Sequence, residues 1–201
     1  MKRIVFVLSM LLVLLIAVSA SADMFKFTSD HMTGGAGTPP FGEVVLVQDG
    51  SDVDVTVNLY DGSKFIRTGS GDRMNFLFNG SGYGVGLGDI SGTGLTVAAG
   101  PLHADGAGYF DFGVYFNGQD EGGSNALPGP IEFTVLNATI ADLTHANLAG
   151  NIFAADILSG QTGNTGEVDV TGTPIPEPAT MLLLGSGLIG LAGFARKRFK
   201  K

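Results

Sequence analysis

The chain of 201 residues contains no cysteine and no tryptophan. Lack of cysteine removes disulfide staples, thiolate nucleophiles and thiolate metal sites together, so any folded part must be held by burial alone. Lack of tryptophan removes the strongest platform for stacking sugars, which Tyr60, Tyr83, Tyr109 and Tyr115 replace only in part. Basic residues are also scarce in the interior of the sequence. Between Asp23 and Pro178 lie all 19 acids but only four cations, Lys26, Lys64, Arg67 and Arg73. That region carries a formal charge of −15, against −8 for the whole chain. A surface this acidic repels nucleic acid and anionic lipid, and attracts cations.

Catalytic signatures are missing as well. There is no Gly-x-Ser-x-Gly elbow and no phosphate loop. His31, His103 and His145 stand alone, without partners at metal-ligand spacing, so neither a catalytic nor a metal residue is assigned. Carboxylate pairs such as Asp52 with Asp54, or Asp120 with Glu121, are what a glycosidase needs, but where acids are this dense the pairing selects nothing. Calcium is the one cofactor that the Gly-rich acidic stretches could take, at Asp49–Asp54, Asp105-Gly106 or Asp120–Gly123. No EF-hand loop or repeated nonapeptide supports it, and diffuse condensation of cations is the plainer reading. Asn79-Gly80-Ser81 and Asn137-Ala138-Thr139 fit the glycosylation sequon without further meaning.

What the sequence has is period-two alternation. Val53, Val55, Val57 and Leu59 alternate with Asp52, Asp54, Thr56 and Asn58, after Val44-Val45-Leu46-Val47 and the turn signal Asp49-Gly50. A hairpin with Asp49-Gly50 at its tip sets Leu46 opposite Val53 and Val44 opposite Val55, one face apolar and the other acidic. The pattern returns at Met74–Phe78, Tyr83–Leu87, Phe110–Phe116 and Ile131–Val135. Ala138–Ala149 and Ile152–Leu158 fit helix or strand, with room for one short helix, and Val168 and Val170 suggest a last strand. The 32 glycines follow no fixed period and fall between alternations, as turns. The expected fold is all-β, an antiparallel β-sandwich with an open β-barrel as alternative, flanked by an N-terminal signal helix and a C-terminal transmembrane helix. The sandwich spans 23–158, and 159–173 reads as a polar linker.

The two ends set the compartment. Residues 1–22 run from Lys2-Arg3 through an apolar stretch to Ala20-Ser21-Ala22, a secretory signal with cleavage expected between Ala22 and Asp23. That makes signal peptidase and the general secretion machinery partners. At the other end Pro176-Glu177-Pro178 precedes an apolar run, 179–195, of seventeen residues. As a helix it reaches about 26 Å, enough to span a slightly thinned inner membrane. Arg196, Lys197, Arg198, Lys200 and Lys201 then act as a membrane stop that keeps the terminus cytoplasmic and the prolines outside. Gly185-Ser186-Gly187-Leu188-Ile189-Gly190 matches a dinucleotide-binding string but lacks the strand and the βαβ unit, and reads instead as small residues for helix packing.

Pro-Glu-Pro, a short Gly/Leu-rich apolar run and a basic terminus, in that order over 174–201 and paired with a signal peptide, resemble the sorting signal of the PEP-CTERM class of exported bacterial proteins. The resemblance implies an exosortase as partner, a membrane-embedded thiol protease or transpeptidase that recognises Pro176-Glu177-Pro178 and releases the exported domain. It also implies a Gram-negative source that makes exopolysaccharide. The expected role is a non-enzymatic envelope or matrix protein of a biofilm, anchored transiently and ending on the outer surface or in the extracellular matrix. An extracellular glycan-binding module or weak glycan hydrolase, and a calcium-dependent adhesin, are the alternatives.

Overall fold

A computed structural model describes residues 21–172 and 174–176. The signal segment up to Ala20, Glu177 and Pro178, the apolar run 179–195 and the basic tail lie outside the described residues. Among the described residues no helix is long and apolar enough to cross a membrane.

The chain is all-β. Its strands are β1 (Ala22–Phe27), β2 (Ser29–Asp30), β3 (Gly42–Asp49), β4 (Asp52–Leu59), β5 (Lys64–Phe65), β6 (Phe76–Phe78), β7 (Ile90–Ser91), β8 (Leu95–Ala104), β9 (Gly108–Phe116), β10 (Ile131–Val135), β11 (Asn151–Leu158), β12 (Thr165–Thr171) and β13 (Ile175–Pro176). One short helix, α1 (Ile140–Leu143), lies between β10 and β11. The first sheet runs β13-β1-β3-β4-β10-β7 and the second β2-β12-β11-β6-β9-β8, with β5 also paired to β11; every pairing is antiparallel and neither sheet closes on itself.

Burial explains the alternations. Phe25, Phe27, Val44, Leu46, Val53, Val55, Val57, Ile131, Phe133 and Val135 of the first sheet share one apolar cluster with Phe76, Phe78, Phe112, Val114, Phe153, Ala155, Ile157, Val168 and Val170 of the second. Rings lock across it: Phe133 lies 5.4 Å from Phe78 and 6.1 Å from Phe76, and Phe25 meets Phe153 edge-on at 5.3 Å. Each such contact adds about 0.5–1.5 kcal/mol to the burial itself.

The β3–β4 hairpin forms, with its turn one residue later than the sequence suggested. Asp49 pairs with Asp52, so Leu46 faces Val55 and Val44 faces Val57. Gly50, at φ 61°, takes the first of the two turn positions, where a positive φ suits a twisted hairpin. A shift of two in pairing preserves the side-chain parity, so the apolar and acidic faces stay as expected. Gln48 then anchors the tip. Its amide donates to the Ala138 carbonyl at 3.0 Å, and its side-chain oxygen accepts from the Ile140 N–H at 3.1 Å.

Elsewhere the sequence reading needs correction. Tyr83–Leu87 is not a strand: the Gly80 carbonyl accepts from both Tyr83 and Val85 and the Gly86 carbonyl from the Asp89 N–H, winding the segment into one-turn 3-10 helices at Ser81–Tyr83 and Leu87–Asp89. Most of 159–173 is not a free linker either. It contains β12, the last strand that Val168 and Val170 suggested, which lies between β2 and β11 and buries both valines in the core, so the folded unit continues through Thr171 and the edge strand β13 follows it. The ambiguous stretch Ile152–Leu158 is a strand buried on both faces, and the short helix is a single turn in which the Asp142 carboxylate accepts from the Thr139 N–H at 2.8 Å and from its hydroxyl at 2.7 Å.

Candidate functional site

Three regions could carry function. The first is the sheet edge where the two ends meet. β13 pairs with β1, setting Pro176 opposite Asp23 and Ile175 opposite Met24. Proline has no N–H for a ladder, and an edge strand is where a sheet tolerates it. The expected signal cut, between Ala22 and Asp23, falls one residue inside β1, whose Ala22 pairs with Val47. The first residue of the Pro-Glu-Pro motif and the expected new N-terminus are therefore direct cross-strand neighbours.

The second is an aromatic cleft of about 570 Å³. The Tyr83 ring lies flat on His145, centroids 3.4 Å apart and 6° from parallel, and is 52 % exposed. Tyr109, 62 % exposed, lines the same cleft and leans on His103 at 4.9 Å. Asp111 forms the floor, its carboxylate accepting from the Gly80 and Ser81 N–H groups, both at 3.0 Å. Tyr115, a residue equally eligible by sequence, is not available in the same way. The Arg67 guanidinium covers its ring at 3.9 Å. Tyr60 is also engaged: its hydroxyl donates to Glu43, and burial first and that carboxylate second raise its pKa.

The third is a group of buried acids on the outer face of the second sheet. Asp156 on β11 and Glu167 on β12 are opposite one another, with Asp169 two residues along on the same face. All three are buried, although they are ionisable. Asp156 accepts from the Thr68 N–H and, at 3.0 Å, from its hydroxyl. Asp169 takes Nε2 of His31 at 2.5 Å. Burial pushes Asp156 up to about 6, against the pull of the Thr68 bonds, with Asp105 adding to the rise. Burial pushes Glu167 well above the usual carboxylate range, and Asp156, Asp105 and Asp169 add to that.

None of these three acids stood out in the sequence. Glu167 and Asp169 alternate with Val168 and Val170 as Asp52 and Asp54 alternate with Val53 and Val55, and alternation does not tell whether the polar face is covered. Asp156 carried the one usable signal, an acid inside the apolar run Ile152–Leu158. Of the calcium candidates, Asp105 borders this group. Asp120–Gly123 is committed elsewhere, because Glu121 pairs with Arg67 at 3.1 Å and Arg73 at 2.7 Å. Asp52 and Asp54 lie on the open face of the first sheet, where Asp52 accepts from the Asn137 N–H and Asp54 from the Thr134 hydroxyl. Among the described residues no three His, Asp or Glu side chains already converge as metal ligands.

Residues 174–198 match the family described as the PEP-CTERM protein-sorting motif. That match marks an exported protein, sorted to the cell envelope through recognition by an exosortase. Neither a curated protein nor a solved structure matches the chain.

Proposed function

We propose that the chain is a non-enzymatic envelope or matrix protein whose folded domain is delivered outside the cell by its two ends and handed over at Pro176-Glu177-Pro178. The observation that carries this is the sorting-motif match at 174–198, which follows β12 and takes in the edge strand β13. Two open sheets that share one apolar cluster support a sandwich as the delivered unit. In this reading the chemistry belongs to the exosortase, and Pro176–Pro178 is acted upon. The pairing of Pro176 with Asp23 keeps both processed ends on one edge, so the rest of the surface stays free for matrix contacts, exopolysaccharide among them. A chain truncated after Thr173, expressed in its native host, is expected to keep its fold and lose processing and envelope sorting. Unchanged processing and localisation of the truncated chain would overturn the proposal.

The cleft favours a second reading, glycan binding. Two exposed tyrosines beside Asp111 form the kind of apolar wall with polar floor on which a sugar ring stacks. Tyr109→Ala should then weaken retention on the host's exopolysaccharide about tenfold, consistent with one lost stacking contact of about 1.4 kcal/mol. Tyr115→Phe, beneath Arg67, should leave it unchanged. Equal retention of all three proteins would remove this reading.

A further inference from the structure

The acids on the outer face of the second sheet are not used by the sorting end or by the aromatic cleft. We propose that the cavity bordered by Asp105, Asp156 and Glu167 is a binding site for a hard divalent cation of the calcium class.

The cavity is small, about 150 Å³, and its walls bring carboxylates from three places, the β8–β9 turn, β11 and β12. The Thr68 hydroxyl adds a neutral oxygen, and among the described residues no lysine or arginine borders the cavity. Four carboxylates, counting Asp169 behind Glu167, face one imidazole, so acidic groups outnumber basic ones at the site. The decisive feature is Glu167. It is 4 % exposed, it lines the cavity, and its Oε2 is buried without a hydrogen-bond partner among the described residues. Asp169 Oδ1 is in the same condition. A buried carboxylate oxygen with no donor is costly, and a bound cation both supplies the partner and cancels the charge. The walls offer carboxylate and hydroxyl oxygens and one imidazole, His31, whose Nε2 is already engaged by Asp169, a donor set that favours a hard ion over zinc or copper.

The geometry allows an ion to be shared. Side chains at directly opposed strand positions have Cβ atoms about 4.5–5.5 Å apart, and calcium accepts oxygens at about 2.3–2.6 Å, so Asp156 and Glu167 can flank one ion. The third carboxylate comes from a turn that fits closely over the site. Gly106 packs on His31 so tightly that a Cβ there would lie 2.5 Å from the ring carbon Cγ. Because no three ligands already converge, ion entry requires Asp105, exposed on its turn, to swing toward the strand pair.

The test is thermal unfolding of the full exported chain near neutral pH, in EDTA and in calcium chloride at matched ionic strength. Calcium at about a hundred times its dissociation constant should raise the midpoint by about 5–10 °C. Glu167→Gln and Asp156→Asn should abolish the shift, and Asp54→Asn on the open face of the first sheet should retain it. Should a buried variant fail to fold, Asp105→Asn on the exposed turn must still reduce the shift. Calorimetric titration with calcium chloride should saturate at one ion per chain. Identical midpoints in EDTA and calcium overturn the proposal, as does a shift that survives in Glu167→Gln or Asp105→Asn. Weak heats that never saturate also overturn it, since they describe only ions condensing on an acidic surface.

Discussion

The two sheets carry the same kind of residue on their outer faces and treat it oppositely. On the first, Asp54 and Glu132 are exposed and Thr56 and Thr134 half-buried, so charge there stays in water. On the second, Asp156, Glu167 and Asp169 are covered, and beside them Leu77, Ala154, Met74, Leu102 and Phe110 form a small apolar cluster of their own. The cover comes from the excursion between β5 and β6, which brings Thr68 and Met74 over the sheet, and from the end of the β8–β9 hairpin. The difference teaches that alternation of apolar and acidic residues defines two faces without defining which of them meets water. A solvated acidic face contributes charge and solubility at little cost. A covered one must be satisfied, and where satisfaction is incomplete it points to a ligand or to protons.

Outer-face truncations give the sharpest separation. Leu77→Ala, on the covered face and 1 % exposed, should lose about 3–5 kcal/mol, the cost of a core cavity. Thr134→Ala, at an outer-face position of the first sheet, should lose less than about 0.5 kcal/mol. Urea unfolding followed by circular dichroism measures both, with unchanged slopes showing that only stability moved. Comparable losses at the two positions would break the distinction between the faces.

This asymmetry also marks how far the sequence could be read. The alternations at 52–59, 110–116 and 131–135 are strands, because a half-buried strand writes its burial directly into its residues. The tail motif was legible for a different reason: an enzyme reads it as a linear string, so it needs no tertiary context. Tyr83–Leu87 misled because glycines between apolar residues imitate the polar half of an alternation while letting the backbone coil. Val168 and Val170 suggest the strand β12, but their polar surroundings make the stretch read as a linker, because its place in the sheet comes from β11, a partner adjacent only after folding. The covered acids depend on long-range coverage. Thr68 reaches Asp156 across 88 positions and His31 reaches Asp169 across 138, distances at which local pattern carries no information.

The smaller effect expected is a pH dependence, and its sign separates carboxylates by environment. Asp156 has its folded pKa raised from 3.8 to about 6. The folded state therefore holds that proton more tightly than the unfolded chain does. Its contribution is complete below about pH 4 and is lost as pH rises through about 6, a decline on the order of 2–3 kcal/mol. Glu167, Asp105 and Asp169 face the same site with His31 on its flank, and the rise in Glu167 extends the decline toward higher pH. Asp142 has the opposite sign. The Thr139 hydroxyl and N–H hold its pKa below the ordinary value, so its smaller stabilisation is present above that value and lost as pH falls. In EDTA, stability measured across about pH 4–7 should fall with pH in the native chain and flatten in Asp156→Asn, whose amide oxygen still accepts from the Thr68 N–H. Asp142→Asn should leave that decline in place and remove only part of the acid-side loss. A native profile that rises through this range, or one that Asp156→Asn leaves unchanged, would mean that water reaches the second sheet's acids as freely as it reaches those of the first.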